Sequence, residues 1–179
     1  MIFLRHPTPD IPQNVCYGRT DMDIADIGHQ QIAKALTDTP PLTRIIASPA
    51  LRCRKLAQQI AARESLELSF DERLWEMHMG DWEGLAWRDI NREESEIWLR
   101  DTHNNSTPNG ESFRDVQQRV SECIDSILAD RAYDHQQTAI VCHASPIRAT
   151  QMAWTGLSFK QAFAISPPFA TPITINPPR

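Results

Sequence analysis

The chain has 179 residues, 41% hydrophobic and 23% charged, the balance of one ordinary globular domain with a real core. Its formal net charge of −5 argues against a nucleic-acid partner, because phosphate backbones are held by basic surfaces. It leaves open a small phosphorylated ligand, for which a few local cations suffice. The opening apolar run Ile2-Phe3-Leu4 is cut off by Arg5 and His6, too short for a signal-peptide core. No stretch approaches the ~20 apolar residues of a membrane span, so no membrane partner is expected. Cys16, Cys53, Cys123 and Cys142 are scattered and form no C-x-x-C pair. Buried free thiols in a reducing cytoplasm are therefore expected, with no metal and no cofactor.

In chain order, Ile2-Phe3-Leu4 reads as a strand and roughly 24–37 as a helix, with Ile24, Ile27, Ile32, Ala35 and Leu36 on one stripe. Ile45-Ile46-Ala47 is a second strand, and Ser48-Pro49 looks like a capping residue followed by proline at a first helical position. Leu66 to Phe70 is a third strand. The clearest helix is 112–131, where Phe113, Val116, Val120, Cys123, Ile124, Ile127 and Leu128 keep helical spacing behind a Ser112/Asp115 capping box. Ala139-Ile140-Val141-Cys142 is a buried-looking strand, and Ser145-Pro146 opens another helix. The proline-richer tail suggests short edge strands near 163–166 and 172–175. Alternating strands and helices predict an α/β fold, a three-layer αβα sandwich with a mostly parallel central sheet. Residues 1–179 are read as a single domain carrying a short helical lid at 85–111.

Three of these strands run into polar residues: Arg5-His6-Pro7, Ser48-Pro49 with Arg52 one turn on, and His143-Ala144-Ser145-Pro146. In open α/β sheets, ligands bind outside the carboxyl ends of the strands. Two histidines and two arginines thus converge beside helix N-termini that favour anions. Arginine is permanently charged and meets phosphate oxygens bidentately. Taken singly, each group has a plainer reading: a structural histidine, a solvated helix arginine, a helix start. Together, at one sheet edge, they predict a phosphate site. A histidine can attack phosphorus if its nitrogen is unprotonated, and the departing alkoxide then needs a general acid. The stretch from Leu74 to Gly84 supplies the carboxylates Glu76, Asp81 and Glu83.

At these residues the chain resembles the histidine phosphatase, or phosphoglycerate-mutase-like, superfamily. Leu4-Arg5-His6 resembles its L-R-H-G signature, and Ser48-Pro49-Ala50-Leu51-Arg52 its S-P-L-x-R. Leu74-Trp75-Glu76 with Gly80-Asp81-Trp82-Glu83-Gly84 resembles L-x-E-x-x-x-G-x-W-E-G, and Val141-Cys142-His143 the strand bearing the second histidine. The resemblance implies His6 as nucleophile, Arg5, Arg52 and His143 as the phosphate pocket, and Glu76 as proton donor and later base, with Glu83 and Asp81 structural. Departures are Pro7 for the usual glycine, Thr8-Pro9 for E-T or E-S, Ala144-Ser145 for two glycines, and Leu56 for a common threonine. Cys16-Tyr17-Gly18-Arg19-Thr20-Asp21 and Pro108-Asn109-Gly110-Glu111-Ser112 resemble the α-ribazole phosphatase branch, which implies removal of a 5′-phosphate in cobalamin nucleotide-loop assembly. Arg19 then either orients substrate or is a surface residue.

The expected partner is a small phosphorylated substrate, and the sequence leaves the oligomeric state open. Alternatives are a broad-specificity or phosphohistidine-protein phosphatase, a phosphoglycerate mutase, and a non-catalytic phospho-ligand binder. Residues 85–107 hold Arg88, Arg92 and Arg100 against Asp89, Glu93, Glu94, Glu96 and Asp101. That acidic excess is expected to repel a small, multiply charged anion, which disfavours a mutase. Trp75, Trp82, Trp87 and Trp98 crowd the same region, either as a stacking wall for a flat base or as packing beneath the lid.

Overall fold

The computed structural model describes residues 1–178. Five strands form one sheet: β1 (Ile2–Arg5), β2 (Arg44–Ala47), β3 (Leu68–Phe70), β4 (Thr138–Cys142) and β5 (Pro172–Thr174), in the spatial order β3-β2-β4-β1-β5. The first four pair in parallel, and β5 runs antiparallel along β1. The architecture is therefore the expected mostly parallel α/β sandwich.

Alternation along the strands splits the core in two. Ile2, Leu4, Ile45, Ala47, Ala139 and Val141 face a cluster completed by helices α1 (Asp26–Asp38) and α2 (Leu51–Glu64). Phe3, Ile46, Ile140 and Cys142 face the opposite cluster, closed by α4 (Phe113–Ala129) and α5 (Ala144–Thr155). Between β3 and α4 lie three short 3₁₀ turns and helix α3 (Arg92–Arg100), which buries no residue fully. All four cysteines are free and buried.

The capping box before α4 forms as expected, with the Ser112 side chain accepting from Asp115 N–H and Asp115 accepting from Ser112 N–H. Two helix starts differ from the sequence reading. α2 begins at Leu51, and its orphan amide donates at 2.6 Å to Asp21 Oδ1, a cap supplied from a distant loop. Ser48 is instead committed to a histidine. α5 begins at Ala144, one residue before Ser145, with His143 at its N-cap. The expected strand near 163–166 is replaced by helix α6 (Phe159–Ala164). Phe159 and Phe163, four apart, both meet Phe113, with centroids at 5.4 and 4.9 Å, and Ser158 with Gln161 makes a second capping box. That pairing is available only to a helix.

Gly80 shows why the segment after β3 is held so closely to the start of α4. Its φ is +56°, and a Cβ there would run into the Pro108 carbonyl. Asp81 N–H donates to that same carbonyl at 3.0 Å, and Glu111 N–H donates to the His78 carbonyl at 2.9 Å.

Candidate active site

Because β1, β2 and β4 are parallel neighbours, Arg5-His6, Ser48 and His143 leave the sheet at one edge. His6 N–H donates to the Cys142 carbonyl at 2.9 Å, and its ring is fully buried. Nδ1 stands 2.7 Å from the Pro7 carbonyl oxygen. A carbonyl only accepts, so Nδ1 carries the proton and Nε2 keeps a bare lone pair. Any residue at position 7 offers that carbonyl, so proline in place of glycine leaves the contact intact. Nε2 is buried with no hydrogen-bond partner. Burial, then the nearby Arg52 and Arg5 guanidinium groups, hold the His6 pKa well below the usual histidine value, so the ring is neutral at neutral pH.

Arg52 is also fully buried. Its two terminal nitrogens donate to the carbonyls of Thr20 at 2.8 Å and Gly18 at 2.7 Å. Nη2 further donates to His143 Nδ1 at 3.3 Å. Since arginine cannot accept, His143 carries its proton on Nε2, which donates to Ser48 Oγ at 2.8 Å. Burial and Arg52 push the His143 pKa well below its usual value, and Trp75 lies parallel over the ring at 6.2 Å. Arg5 lies 3.9 Å over the Phe169 ring and donates to the Pro167 carbonyl at 3.0 Å. The Nε atoms of Arg5 and Arg52 are buried without partners, like His6 Nε2. Orphaned buried polar atoms cost roughly 1–3 kcal/mol each, so a cluster of them at one edge calls for an explanation. A bound phosphoryl group supplies one.

Glu76 closes the site from the segment after β3. Oε1 accepts from Met77 N–H at 3.0 Å and Ser145 N–H at 3.1 Å, and Oε2 accepts from Ala144 N–H at 3.2 Å. The carboxylate thus takes the first free amides of α5, which any residues at 144 and 145 provide. Each oxygen has two lone-pair directions, so Oε2 keeps one open. Arg119 fixes this segment from α4, donating to the carbonyls of Arg73, Trp75 and Glu76 while pairing with Glu111. Nothing in the sequence marked Arg119; only the fold brings it there.

Glu83 and Asp81 are structural, as the resemblance implied. Glu83 accepts from the amides of Arg19, Thr20 and Met79, and Asp81 from Asn109. Arg19 pairs with Glu111 at 2.9 Å and is absent from the wall of the adjoining cavity. The structure therefore assembles His6, Arg5, Arg52, His143 and Glu76, and leaves Arg19 outside.

A cavity of about 320 Å³ opens beside them, lined by the polar side chains of Arg5, Glu76, Ser145 and Arg148 together with Tyr17, Met77, Met79, Trp87, Trp98 and Phe163. Arg148 escaped the sequence reading, although its place three residues after Ser145 put both on one helix face next to His143. Of the four tryptophans, only Trp87 and Trp98 reach the cavity. Trp82 is buried edge-on to Trp98 at 5.6 Å, and Trp75 covers His143. None of the five lid acids lines the cavity. Glu94 accepts from Trp82 Nε1, while Glu96 and Asp89 pair with Arg92 and Arg88. The expected repulsion of small anions by the lid has no side chain to exert it here. Among the described residues, no three His, Cys, Asp or Glu side chains gather as a metal site, and no helix is long and apolar enough to cross a membrane.

Comparison with known proteins agrees with this geometry. The chain is 29% identical over 155 residues to a bifunctional protein of Mycobacterium tuberculosis, covering 83% of this chain but 42% of that one. It therefore spans less than half the length of that relative. Phosphoserine phosphatase 1 of Hydrogenobacter thermophilus is 26% identical over 168 residues, covering 90% of this chain and 78% of that protein. The crystal structure of the α-ribazole phosphatase from Shigella flexneri superposes with a TM-score of 0.85 at 21% identity, over 98% of this chain and 90% of that one, which establishes the shared fold. The family pattern of the histidine phosphatase superfamily (branch 1) matches residues 1–175, nearly the whole chain. With a neutral histidine between two arginines at the sheet edge and this match over almost every residue, the chain belongs to the histidine phosphatase superfamily.

Proposed function

We propose that the protein is a phosphomonoester hydrolase that works through a phosphohistidine formed on His6. The observation that carries the reading is His6 Nε2: an unprotonated nitrogen, buried, without a partner, and flanked by Arg5 and Arg52. In the first half-reaction the Nε2 lone pair forms the N–P bond as the ester P–O bond breaks. The guanidinium groups of Arg5 and Arg52 balance the charge on the phosphoryl oxygens. Glu76, entering protonated, gives its proton to the departing alkoxide. In the second half, Glu76 takes a proton from water, the water oxygen bonds to phosphorus, and the N–P electron pair returns to Nε2 with release of inorganic phosphate. His143 accepts from Arg52 through its Nδ1 and so holds that guanidinium in place for the phosphoryl group. The charge neutralisation is assigned to arginines, so turnover is read as metal-independent.

For the substrate, the sequence motif around Tyr17-Gly18-Arg19 favours α-ribazole 5′-phosphate, and the Trp87–Trp98 wall suits its flat base. The alternative reading is a mutase, favoured by the absence of lid carboxylates from a cavity that holds two arginines.

Rapid quenching of wild type with a phosphomonoester in excess chelator tests the chemistry. The expected adduct is acid-labile and base-stable and maps to residue 6. His6→Ala is expected to lose the adduct and about 10⁴-fold or more in kcat. An adduct with the opposite lability, or activity that needs an added divalent metal, overturns the reading. Isomerisation of 3-phosphoglycerate to the 2-phosphate selects the mutase instead.

A further inference from the structure

The phosphoryl chemistry uses Arg5, Arg52, His6, His143 and Glu76, yet the cavity beside them holds more polar groups than that chemistry needs. Ser145 and Arg148 stand three apart on one face of α5 and both line it. Arg148 is half-buried, donates through Nε to the Ile165 carbonyl at 3.1 Å and lies 4.8 Å from the Phe163 ring centre. Its terminal nitrogens meet no carboxylate among the described residues, and Ser145 Oγ makes no hydrogen bond. Trp98 lines the same cavity, and its Nε1 is a buried donor with no partner. Around these donors the wall is apolar: Met77, Met79 and Trp87.

A guanidinium half out of water, with no carboxylate on its terminal nitrogens and only the more distant charge of Glu76 to offset it, is costly, and so is a buried indole N–H left unpaired. Arg5 and Arg52 already match the charge of a phosphate dianion, so Arg148 is surplus to the phosphoryl group. All three groups can donate, and the carboxylate nearby, Glu76, already accepts three amide N–H groups and keeps one position open. The complementary ligand is therefore rich in acceptors.

We propose that Arg148, Ser145 and Trp98 Nε1 form a second subsite that reads the alcohol part of the substrate. It selects alcohols that present hydrogen-bond-accepting oxygens to α5 and an apolar face to Met77 and Trp87. This rests on the phosphomonoesterase reading and adds to it the residues that set specificity. The accepting oxygens have two possible sources, the carboxylate of a phosphorylated hydroxy acid or the hydroxyls of a phosphorylated nucleoside.

The test compares kcat/KM for 3-phosphoglycerate and for adenosine 5′-phosphate, each divided by that for phenyl phosphate, in wild type, Arg148→Ala, Ser145→Ala and Trp98→Phe. Phenyl phosphate is flat and offers no acceptor beyond its ester. In Arg148→Ala, one of the two ratios should fall about 10- to 100-fold, the loss expected for a charge-assisted hydrogen bond. The ratio that falls identifies the source: the first a carboxylate, the second sugar hydroxyls. Trp98→Phe removes the donor while keeping a smaller aromatic face, and with Ser145→Ala should lower the same ratio about 3- to 10-fold. If all three substrates fall alike, Arg148 serves the phosphoryl group and the proposal is overturned; unchanged ratios overturn it as well. If wild type hydrolyses none of them, the phosphatase reading fails on its own, and calorimetric Kd values for the same ligands and variants still read the subsite.

Discussion

The site has a floor and a roof, built on different terms. The floor is made at the carboxyl ends of parallel strands, where His6, Arg52 and His143 are entirely buried and nearly every contact is to backbone or to each other. The roof is made by the segment from Met77 through α3, where Trp87 is 48% and Leu99 65% exposed and α3 buries nothing fully. Floor residues are fixed by several partners at once, so changing one leaves a buried group unpaired. In the roof only Met77, Met79, Trp82 and Ile90 are buried, and α3 rests on it with partly exposed side chains. Under the proposed function, the floor sets whether a phosphoryl group reacts, and the roof, with Ser145 and Arg148 of α5, which alcohol is carried in with it.

Glu76 belongs to the roof segment by chain position and to the floor by hydrogen bonding, so it probes the boundary. Glu76→Gln keeps one oxygen to accept from Met77 and Ser145 N–H, gives up the acceptor for Ala144 N–H, and cannot deliver a proton. It should slow an alkyl phosphate about 10²–10⁴-fold while slowing 4-nitrophenyl phosphate much less, because a weakly basic leaving oxygen needs no acid. Steady-state kcat on the two esters measures this. Equal losses on both would make Glu76 a clamp on α5 alone.

The two buried histidines allow the floor to be tested without substrate. Unfolded, each titrates near 6.5; folded, burial and the arginines keep both neutral well below that. Below about pH 6.5 the unfolded chain therefore binds more protons, and stability falls as the pH drops. The slope approaches roughly 1.4 kcal/mol per pH unit for each ring and flattens above 6.5. Urea unfolding between pH 7 and 5 should show the decline, and His6→Ala should remove about half of it. The paired carboxylates Asp71 and Glu83, whose values are lowered, enter only further into acid. An unchanged slope in His6→Ala would mean that the ring is protonated in the folded state.

The floor was legible in the sequence because its geometry follows from strand direction. Parallel strands ending in Arg5-His6, Ser48 and His143 share an edge whatever the details. What was hidden is what depends on distant pairing. Ser48 looked like a helix cap because Ser-Pro opens helices, yet its hydroxyl meets a histidine from β4. Asp21, which does cap α2, comes from a loop thirty residues earlier. The Cys16–Asp21 motif pointed toward substrate, but its residues mostly hold Arg52 in place: the carbonyls of Gly18 and Thr20 grip the guanidinium, and Arg19 turns to Glu111. The segment near 163–166 read as a strand, whereas Phe163 sits in a helix with Phe159 and both pack on Phe113.

The smallest expected effect tests whether roof and floor are separable. Glu94, in the first turn of α3, accepts from Trp82 Nε1 at 3.0 Å, and Trp82 meets the edge of Trp98, which lines the cavity. Among the described residues, no hydrogen bond or ring contact joins Glu94, Trp82 or Trp98 to His6, Arg52 or His143. Glu94→Ala leaves the indole N–H without a partner and frees α3 from the wall it braces. Loss of one such hydrogen bond costs about 1 kcal/mol of stability, readable as a lowered urea midpoint. Activity should change through KM, by about 3-fold for substrates that lean on Trp98, because the wall loosens while His6, Arg52 and Glu76 keep their partners. The kcat for phenyl phosphate, which asks little of the roof, should follow wild type. If Glu94→Ala instead lowers kcat as a floor substitution does, then α3 helps to position the reacting groups, and the two halves of the site act as one.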